Sequence, residues 1–119
     1  MADDAAAVAA KYFESWKAKD FDTFRSLLAD EVTFDGPMGH AGNADECVEG
    51  IKGMSKMVTA IDVKKIFTND SEDVVTWFEL HTEGTKPLPT ANWTHVEDGK
   101  ITRIRVTFDP RPLFASSDT

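Results

Sequence analysis

Apolar residues near the start of the chain recur at the spacing of an α-helix. Val8, Tyr12 and Trp16 lie four positions apart and share one face of a helix predicted over Ala5–Lys19. Small and aromatic neighbours widen this apolar stripe. The pattern therefore predicts a helix that buries one side against the rest of the domain.

Aspartates suit the N-cap positions of the first two predicted helices, because their side chains accept hydrogen bonds from free backbone N–H groups. Asp3 or Asp4 precedes the first helix, and Asp20 precedes the second. The apolar stripe of the second helix comprises Phe21, Phe24, Leu27 and Leu28. A short alternating strand over Glu31–Asp35 follows and stops at Gly36-Pro37.

A third apolar series predicts a helix over Ala44–Ala60. Its members are spaced by three or four positions: Cys47, Ile51, Met54, Val58 and Ile61. Gly50 and Gly53 each weaken a helix by about 1 kcal/mol relative to alanine, so a start near Ile51 is the alternative. The preceding segment, Met38–Gly42, is a loop by composition.

The rest of the chain has the alternation typical of β-strands. Two strands are predicted over Val63–Thr68 and Asp73–Glu83, and Thr90–Phe108 contains two further alternating runs joined by Asp98-Gly99. An Asp-Gly pair between such runs predicts a hairpin, because a type I′ turn requires positive φ at both central residues.

The two runs of this hairpin are out of phase unless one strand contains an extra residue. A two-residue turn places Val96 opposite Ile101, yet Ile104 has the opposite parity and belongs to the same apolar face. A β-bulge near Thr102-Arg103 restores the phase and bends the strand. We therefore expect a curved sheet with a cavity, and a polar Asn92 that points into it.

Helices come early in the chain and strands come late, which favours an α+β fold. We predict three N-terminal helices packed on a curved, mostly antiparallel sheet. The 119 residues are the size of one domain, so 1–119 is expected to be a single domain. After Phe108, the proline-containing segment DPRPL cannot continue a central strand.

The composition of the chain limits the classes of partner that it can bind and the compartment that suits it. The net charge of −8 and the pI of about 4.7 disfavour nucleic acids and anionic membranes, which need basic surfaces. Cys47 is the only cysteine, so the chain can form no internal disulfide and suits a reducing compartment. The acidic, alanine-rich N-terminus does not resemble a signal peptide, and no apolar run approaches the ~20 residues of a membrane span. We expect a cytoplasmic protein that needs no cofactor.

Four segments, in this order and spacing, carry a resemblance to a known family: AAKYFESWKAKDFDTF, LLADEVTFDGPMG, VEGIKGM and VEDGKITRIRV. Together they resemble the nuclear transport factor 2-like superfamily, specifically its SnoaL-like and ketosteroid-isomerase-like branch. The resemblance covers nearly the whole chain. It implies a cone-shaped shell of helices and sheet around an apolar pocket. Members include isomerases, polyketide cyclases, dehydratases, epoxide hydrolases and proteins without catalysis.

The resemblance also assigns positions to candidate catalytic residues. Ketosteroid isomerases combine a tyrosine and a protonated aspartic acid, which donate hydrogen bonds to a substrate oxygen, with a carboxylate base. Tyr12 matches the tyrosine, Asn92 falls at the donor acid, and Gly36 falls at the base. The base is therefore missing from its expected place. Tyr12 and Asn92 could still form a neutral clamp for a carbonyl or enolate oxygen.

Two other residues are candidates for proton transfer. His40 lies in the glycine-flanked loop, and the ordinary pKa of histidine suits proton transfer near neutral pH. Asp35 is the carboxylate nearest to the missing base, although strand parity directs it toward solvent. Ordinary structural roles remain the alternative for these residues, and for Tyr12 that role is a core aromatic whose hydroxyl bonds to the backbone.

The predicted substrate-binding residues are apolar or small: Trp16, Phe34, Met54, Val58, Phe78, Leu80, Thr94, Val106 and Phe108. We expect the pocket to bind a small apolar molecule that carries a carbonyl group. The reaction would be isomerisation, cyclisation or dehydration. The alternatives are a non-catalytic small-molecule-binding domain and a dimerisation domain.

Aromatic and charged residues of opposite parity are expected on the outer face of the sheet. Trp77, Trp93, His95 and Arg105 make that face a candidate homodimer interface. The more specific alternative for this face is a metal site formed by His81 and His95, but no third ligand lies at a defined spacing from them. We therefore predict no metal site.

Overall fold

Four helices and six strands are present in the part of the chain that the computed structural model describes, residues 5–69 and 72–115. The helices are α1 (Ala5–Ala18), α2 (Phe21–Ser26), α3 (Ala44–Ser55) and α4 (Arg111–Ala115). The strands are β1 (Leu28–Gly36), β2 (Gly39–Ala41), β3 (Val58–Thr68), β4 (Asp73–Thr82), β5 (Leu88–Glu97) and β6 (Lys100–Thr107). The N-cap predicted at Asp3 or Asp4 lies outside the described residues.

All six strands form one sheet in the order β2-β1-β6-β5-β4-β3. Each neighbouring pair is antiparallel except β1 and β6, which run parallel with Phe34 beside Ile104. The predicted α+β class is confirmed. The prediction of three N-terminal helices is matched only in part, because α4 follows the last strand and only α1 and α3 are long.

The β5–β6 hairpin has the predicted turn and the predicted irregularity. Asp98 and Gly99 have φ values of 53° and 77°, the positive values that a type I′ turn requires. Val96 pairs with Ile101 and His95 with Arg103, so Thr102 is the extra residue of a β-bulge. Alternate residues of β5 are consequently buried on one face of the sheet and exposed on the other.

The third predicted helix starts where expected and ends too early. Asn43 caps α3 by accepting a hydrogen bond from the Glu46 N–H, but the helix stops at Ser55 rather than Ala60. Val58 already pairs with Thr82 of β4. The apolar spacing continued past Ser55, but pairing with β4 determined the structure there, because β-branched residues fit a half-buried sheet.

The segment predicted as a loop contains a short strand. Gly39–Ala41 pairs antiparallel with the end of β1, so that His40 stands opposite Asp35. Leu28, which was assigned to the second helix, instead begins β1. These two differences bring the glycine-flanked histidine to the edge of the sheet.

The core lies between the inner face of the sheet and α1. Aromatic rings fill it: Tyr12 packs on Phe24 with ring centroids 4.9 Å apart, and Phe13 packs edge-on against Phe78 at 5.1 Å. Across α1 and α3, the Trp16 indole N–H donates to the Ser55 hydroxyl at 3.1 Å. Within the described residues, no helix combines the length and the apolar character needed to cross a membrane.

Candidate active site

A small cavity of about 50 Å³ lies between α1, α3 and the inner face of the sheet. Seven of the nine predicted substrate-binding residues line it: Trp16, Phe34, Met54, Phe78, Leu80, Val106 and Phe108. Ile51, Pro37 and Met38 also line it and were not predicted. Ile51 shares the helical stripe of Met54, so its position could have been inferred from spacing alone.

Two predicted lining residues lie elsewhere. The Thr94 side chain is fully buried, and its hydroxyl donates to the Val74 carbonyl at 3.3 Å. Val58 lines a separate surface cleft beside the end of α1, because it belongs to β3 rather than to α3. Neither residue contacts the cavity.

Tyr12 is held in the cavity wall by α1. Its side chain is completely buried, and its hydroxyl oxygen has no hydrogen-bond partner in the described part of the chain. The expected alternative, a hydroxyl bonded to the backbone, is therefore not observed. Burial raises the pKa of Tyr12 strongly and the nearby Cys47 adds to the increase, whereas the Asn92 amide, which lies close enough for a weak hydrogen bond outside standard geometry, lowers it. The phenol stays protonated and remains a hydrogen-bond donor.

Asn92 approaches the same cavity from β5. It is 1% exposed, and its side-chain oxygen also lacks a partner among the described residues. Because Asn92 and Tyr12 line the same cavity, the two side chains are neighbours on the same side of the sheet. The cavity thus contains two neutral polar groups, each with unused hydrogen-bonding capacity.

Gly36 lines the cavity but carries no functional group. A Cβ atom at this position would lie 3.2 Å from Cε1 of Phe34. A larger side chain here would therefore crowd the phenyl ring. No carboxylate occupies the place that the resemblance assigns to the base.

Asp35 and His40 form an ion-paired cluster at the end of β1. His40 Nδ1 lies 2.6 Å from Asp35 Oδ1, and Arg105 Nη1 lies 3.0 Å from Asp35 Oδ2. The hydrogen bond from His40 lowers the pKa of Asp35, and the Arg105 charge assists it. The Asp35 carboxylate therefore accepts a proton less readily than an ordinary one.

Neither member of this pair reaches the Tyr12 cavity. His40 lines a second cavity, of about 140 Å³, between β1, β2 and α3. Its side chain is 64% exposed and that of Asp35 is 45% exposed. The cluster is a solvent-accessible histidine–aspartate pair at the edge of the sheet, and its Asp35 contacts Arg105 of the outer face.

The aromatic residues of the predicted outer face are exposed to solvent. Trp77 and Trp93 are 43% and 41% exposed. Arg103 stacks its guanidinium over the Trp93 ring at 4.9 Å, and the Trp93 indole N–H donates to Asp73 at 2.9 Å. These contacts hold Trp93 flat and outward.

The histidines considered as metal ligands do not meet. His95 stands opposite Asp73 at one end of β4, whereas His81 stands opposite Ala60 near the other end. His81 instead lies near Asp62 and Glu79, with ligand atoms within 4.8 Å of one another. Lys64 Nζ already lies 2.7 Å from Asp62 and 3.9 Å from Glu79, so an ammonium group offsets part of the negative charge of this cluster.

Comparison with known proteins identifies the family. Residues 9–104 match the SnoaL-like domain. The chain belongs to the SnoaL-like domain family. This match confirms the resemblance to the nuclear transport factor 2-like superfamily. No curated protein matches the chain.

Solved structures share the fold of this SnoaL-like domain along nearly its whole length. A Kribbella flavida protein superposes with a TM-score of 0.89 at 25% identity, covering 96% of this chain and 93% of that one. An NTF2-like protein of unknown function from Cytophaga hutchinsonii gives 0.79 at 29% identity, covering 92% and 94%. A steroid delta-isomerase from Pseudomonas aeruginosa gives 0.79 at 19% identity, covering 96% and 86%, a likeness of fold alone.

Proposed function

We propose that this SnoaL-like domain binds a small, apolar, carbonyl-bearing molecule whose oxygen lies between Tyr12 and Asn92. The observation that carries the proposal is the pair of unpartnered polar groups in an otherwise apolar cavity. A buried polar group without a partner costs roughly 1–3 kcal/mol. A ligand oxygen that accepts from the phenol would recover that cost for Tyr12, and the Asn92 amide N–H can donate to the same oxygen. The unpartnered Asn92 Oδ1 is itself an acceptor, so a ligand carbonyl does not satisfy it.

The same geometry supports chemistry on the ligand. Two neutral donors aimed at a carbonyl oxygen stabilise the negative charge that develops when a neighbouring C–H proton leaves. The resulting enol-like intermediate is common to isomerisation, cyclisation and dehydration. Neither donor carries a charge in the resting state, so a neutral apolar substrate meets no uncompensated ion.

Proton transfer by His40, with Asp35 as the second choice, requires a ligand that extends beyond the Tyr12 cavity, because neither side chain lines that cavity. In the neutral tautomer that carries its proton on Nδ1, His40 donates to Asp35 and its Nε2 lone pair can act as a base. The hydrogen bond from His40 lowers the pKa of Asp35, so this carboxylate is a weaker base than an ordinary aspartate. Asp35 is thus better suited to orienting His40 than to receiving the proton.

A non-catalytic binding domain is the second candidate function. The observation that favours it is Gly36, which lines the cavity at the position of the expected carboxylate base. The fold likeness to the steroid delta-isomerase does not decide between the two functions, because at 19% identity it shows the fold alone.

Deuterium exchange tests both functions without knowledge of the natural substrate. Benzylacetone is incubated with the protein in deuterium oxide, and loss of the protons next to its carbonyl is followed by NMR. An enzyme accelerates the exchange, and Tyr12→Phe or Asn92→Ala slows it by ~10²–10³-fold. Binding that depends on Tyr12 without any exchange supports the non-catalytic function. Absence of binding contradicts both.

We also infer that two copies of the chain associate through the outer sheet face. The exposed Trp77 and Trp93, together with Arg105 and His95, give that face the composition of an interface rather than of a solvated surface. This dimer leaves the Tyr12 cavity unobstructed, because the cavity lies on the opposite face of the sheet.

A further inference from the structure

Two cavities on the inner side of the sheet share a wall. The cavity at Tyr12 has a volume of about 50 Å³, and the cavity at His40 has a volume of about 140 Å³. Four side chains line both of them: Phe34, Met38, Ile51 and Met54. These four side chains therefore separate the Tyr12 cavity from the His40 cavity.

We propose that the two cavities are the inner and outer halves of a single ligand site, joined when Met38 and Met54 move aside. This proposal rests on the proposed function of the Tyr12 cavity and adds to it the length and shape of the ligand. About 150 Å³ is needed to hold a benzene ring, so the inner cavity alone has no room for one.

The methionines suit such a rearrangement. Their unbranched thioether chains adapt to irregular spaces at low cost. Met38 is 40% exposed in the turn between β1 and β2, and Met54 is half-buried near the end of α3. Neither makes a polar contact that would have to break. Phe34 and Ile51 are stiffer and would form the fixed sides of the passage.

The chemistry at the two ends defines the class of ligand. The inner end offers Tyr12 and Asn92 to an acceptor oxygen, and the middle is apolar. At the outer end, His40 Nδ1 is already bound to Asp35, and the Glu46 carboxylate already accepts from the Gly42 N–H at 2.9 Å. The site fits an elongated, uncharged molecule with a carbonyl at one end and an apolar or aromatic tail.

Gly50 allows the outer half to be closed selectively. It lines the His40 cavity but not the Tyr12 cavity, and a Cβ atom there would meet nothing within 4 Å. Gly50→Leu therefore places a side chain over the outer half without a clash. Gly53→Leu is the matched control, because Gly53 lies in the same helix, has the same open surroundings and lines neither cavity.

Acetone and benzylacetone share a methyl ketone and differ by an aromatic tail, so their affinities separate the two halves. In the unmodified chain the tail should tighten binding by at least ~10-fold, measured by NMR titration. Gly50→Leu should remove most of that gain and leave acetone binding unchanged, and Gly53→Leu should alter neither. Tyr12→Phe should weaken the binding of both ketones.

The outcomes separate the two proposals. If the binding of benzylacetone depends on Tyr12 but is equally tight in Gly50→Leu and in the unmodified chain, the joined site is wrong and the proposed function stands. If neither ketone binds, the proposed function fails and the joined site fails with it. A second measurement, by NMR, needs no mutation. Benzylacetone should shift the backbone amide signals of Gly39, His40 and Cys47, whereas acetone should not. If benzylacetone leaves these signals unmoved, the joined site is refuted.

Discussion

Thr76 of β4 stands directly opposite Asn92 of β5, and each carries a buried side-chain oxygen without a hydrogen-bond partner in the described residues. The Tyr12 hydroxyl is the third such atom. Native proteins contain few unsatisfied buried polar groups, and those that occur call for an explanation. Tyr12 and Asn92 face the cavity, whereas Thr76 does not line it. The first two are therefore assigned to the ligand and the third is not.

Tyr12→Phe should stabilise the free protein while removing its function. The substitution deletes a buried hydroxyl that has no partner and leaves the aromatic packing in place, so the free energy of unfolding should rise by about 0.5–1 kcal/mol. Ketone affinity should fall in the same variant. Chemical denaturation and NMR titration measure the two effects. A destabilisation beyond 1 kcal/mol would show that the hydroxyl is a structural group.

Thr76→Val should also stabilise the protein, by about 1 kcal/mol, because valine keeps the shape of threonine and removes the unsatisfied oxygen. Its effect on ketone binding should be small. Thr90→Val is the matched control: the Thr90 hydroxyl donates to the Leu88 carbonyl at 2.9 Å, so its loss should destabilise the fold. Equal destabilisation of both variants in denaturation experiments would contradict the assignment of Thr76.

Substitution of Gly99 in the hairpin turn should lower the free energy of unfolding, whereas substitution of a helical glycine should raise it. Gly99 has a φ of 77°, and alanine there should cost about 1 kcal/mol of unfolding free energy. Gly53→Ala, in α3 with open surroundings, should instead stabilise by up to about 1 kcal/mol. Thermal unfolding of the two variants checks the contrast, which would be absent if the turn relaxed without cost.

Trp93→Glu should convert a dimer into a monomer in sedimentation experiments. The substitution introduces a negative charge at the centre of the outer face and removes the ring on which Arg103 stacks. Met57→Glu is the control, because Met57 is an exposed apolar residue in the turn after α3, away from that face. A Trp93→Glu variant that remains dimeric would exclude this face as the main interface.

Asp73 should contribute to stability in a pH-dependent manner. Hydrogen bonds from His95 and Trp93 lower the pKa of Asp73 below its unfolded value of 3.8. Its contribution is therefore present above pH 3.8 and is lost as the pH falls through the lower folded pKa. Asp73→Asn should destabilise the protein by about 1 kcal/mol at about pH 5, and this effect should shrink as the pH falls below 3.8. A urea-denaturation difference that does not change with pH would refute this.

The features that the sequence predicted well are those determined locally. Asp98 and Gly99 specify their own turn, and the parity of Val96 and Ile104 required a bulge that the structure places at Thr102. The same parity placed Asn92 on the inner face and Trp93 on the outer face. Helical spacing put Tyr12 on the buried side of α1. Each of these depends on residues within a few positions of one another.

The features that could not be predicted depend on distant partners. Val58 continues the apolar spacing of α3, and only its pairing with Thr82 shows that it belongs to a strand. Likewise, the contact between Asp35 and His40 requires β2. This strand has only three residues, two of them small, so the sequence pattern did not predict it. The volume of each cavity depends on how Met38 and Met54 pack, and periodicity carries no information about packing.

The parallel pairing of β1 with β6 has a consequence for how the chain folds. Phe34 and Ile104 are neighbours in the sheet although 70 residues separate them along the chain. On the ribosome, β1 therefore emerges long before the strand that joins it to the rest of the sheet. Closing so long a loop is slow, since its entropy is lost before the contacts form. We expect the β3–β6 meander to assemble first and the N-terminal helices with β1 to dock onto it last, so that the ligand site comes into existence in the final step.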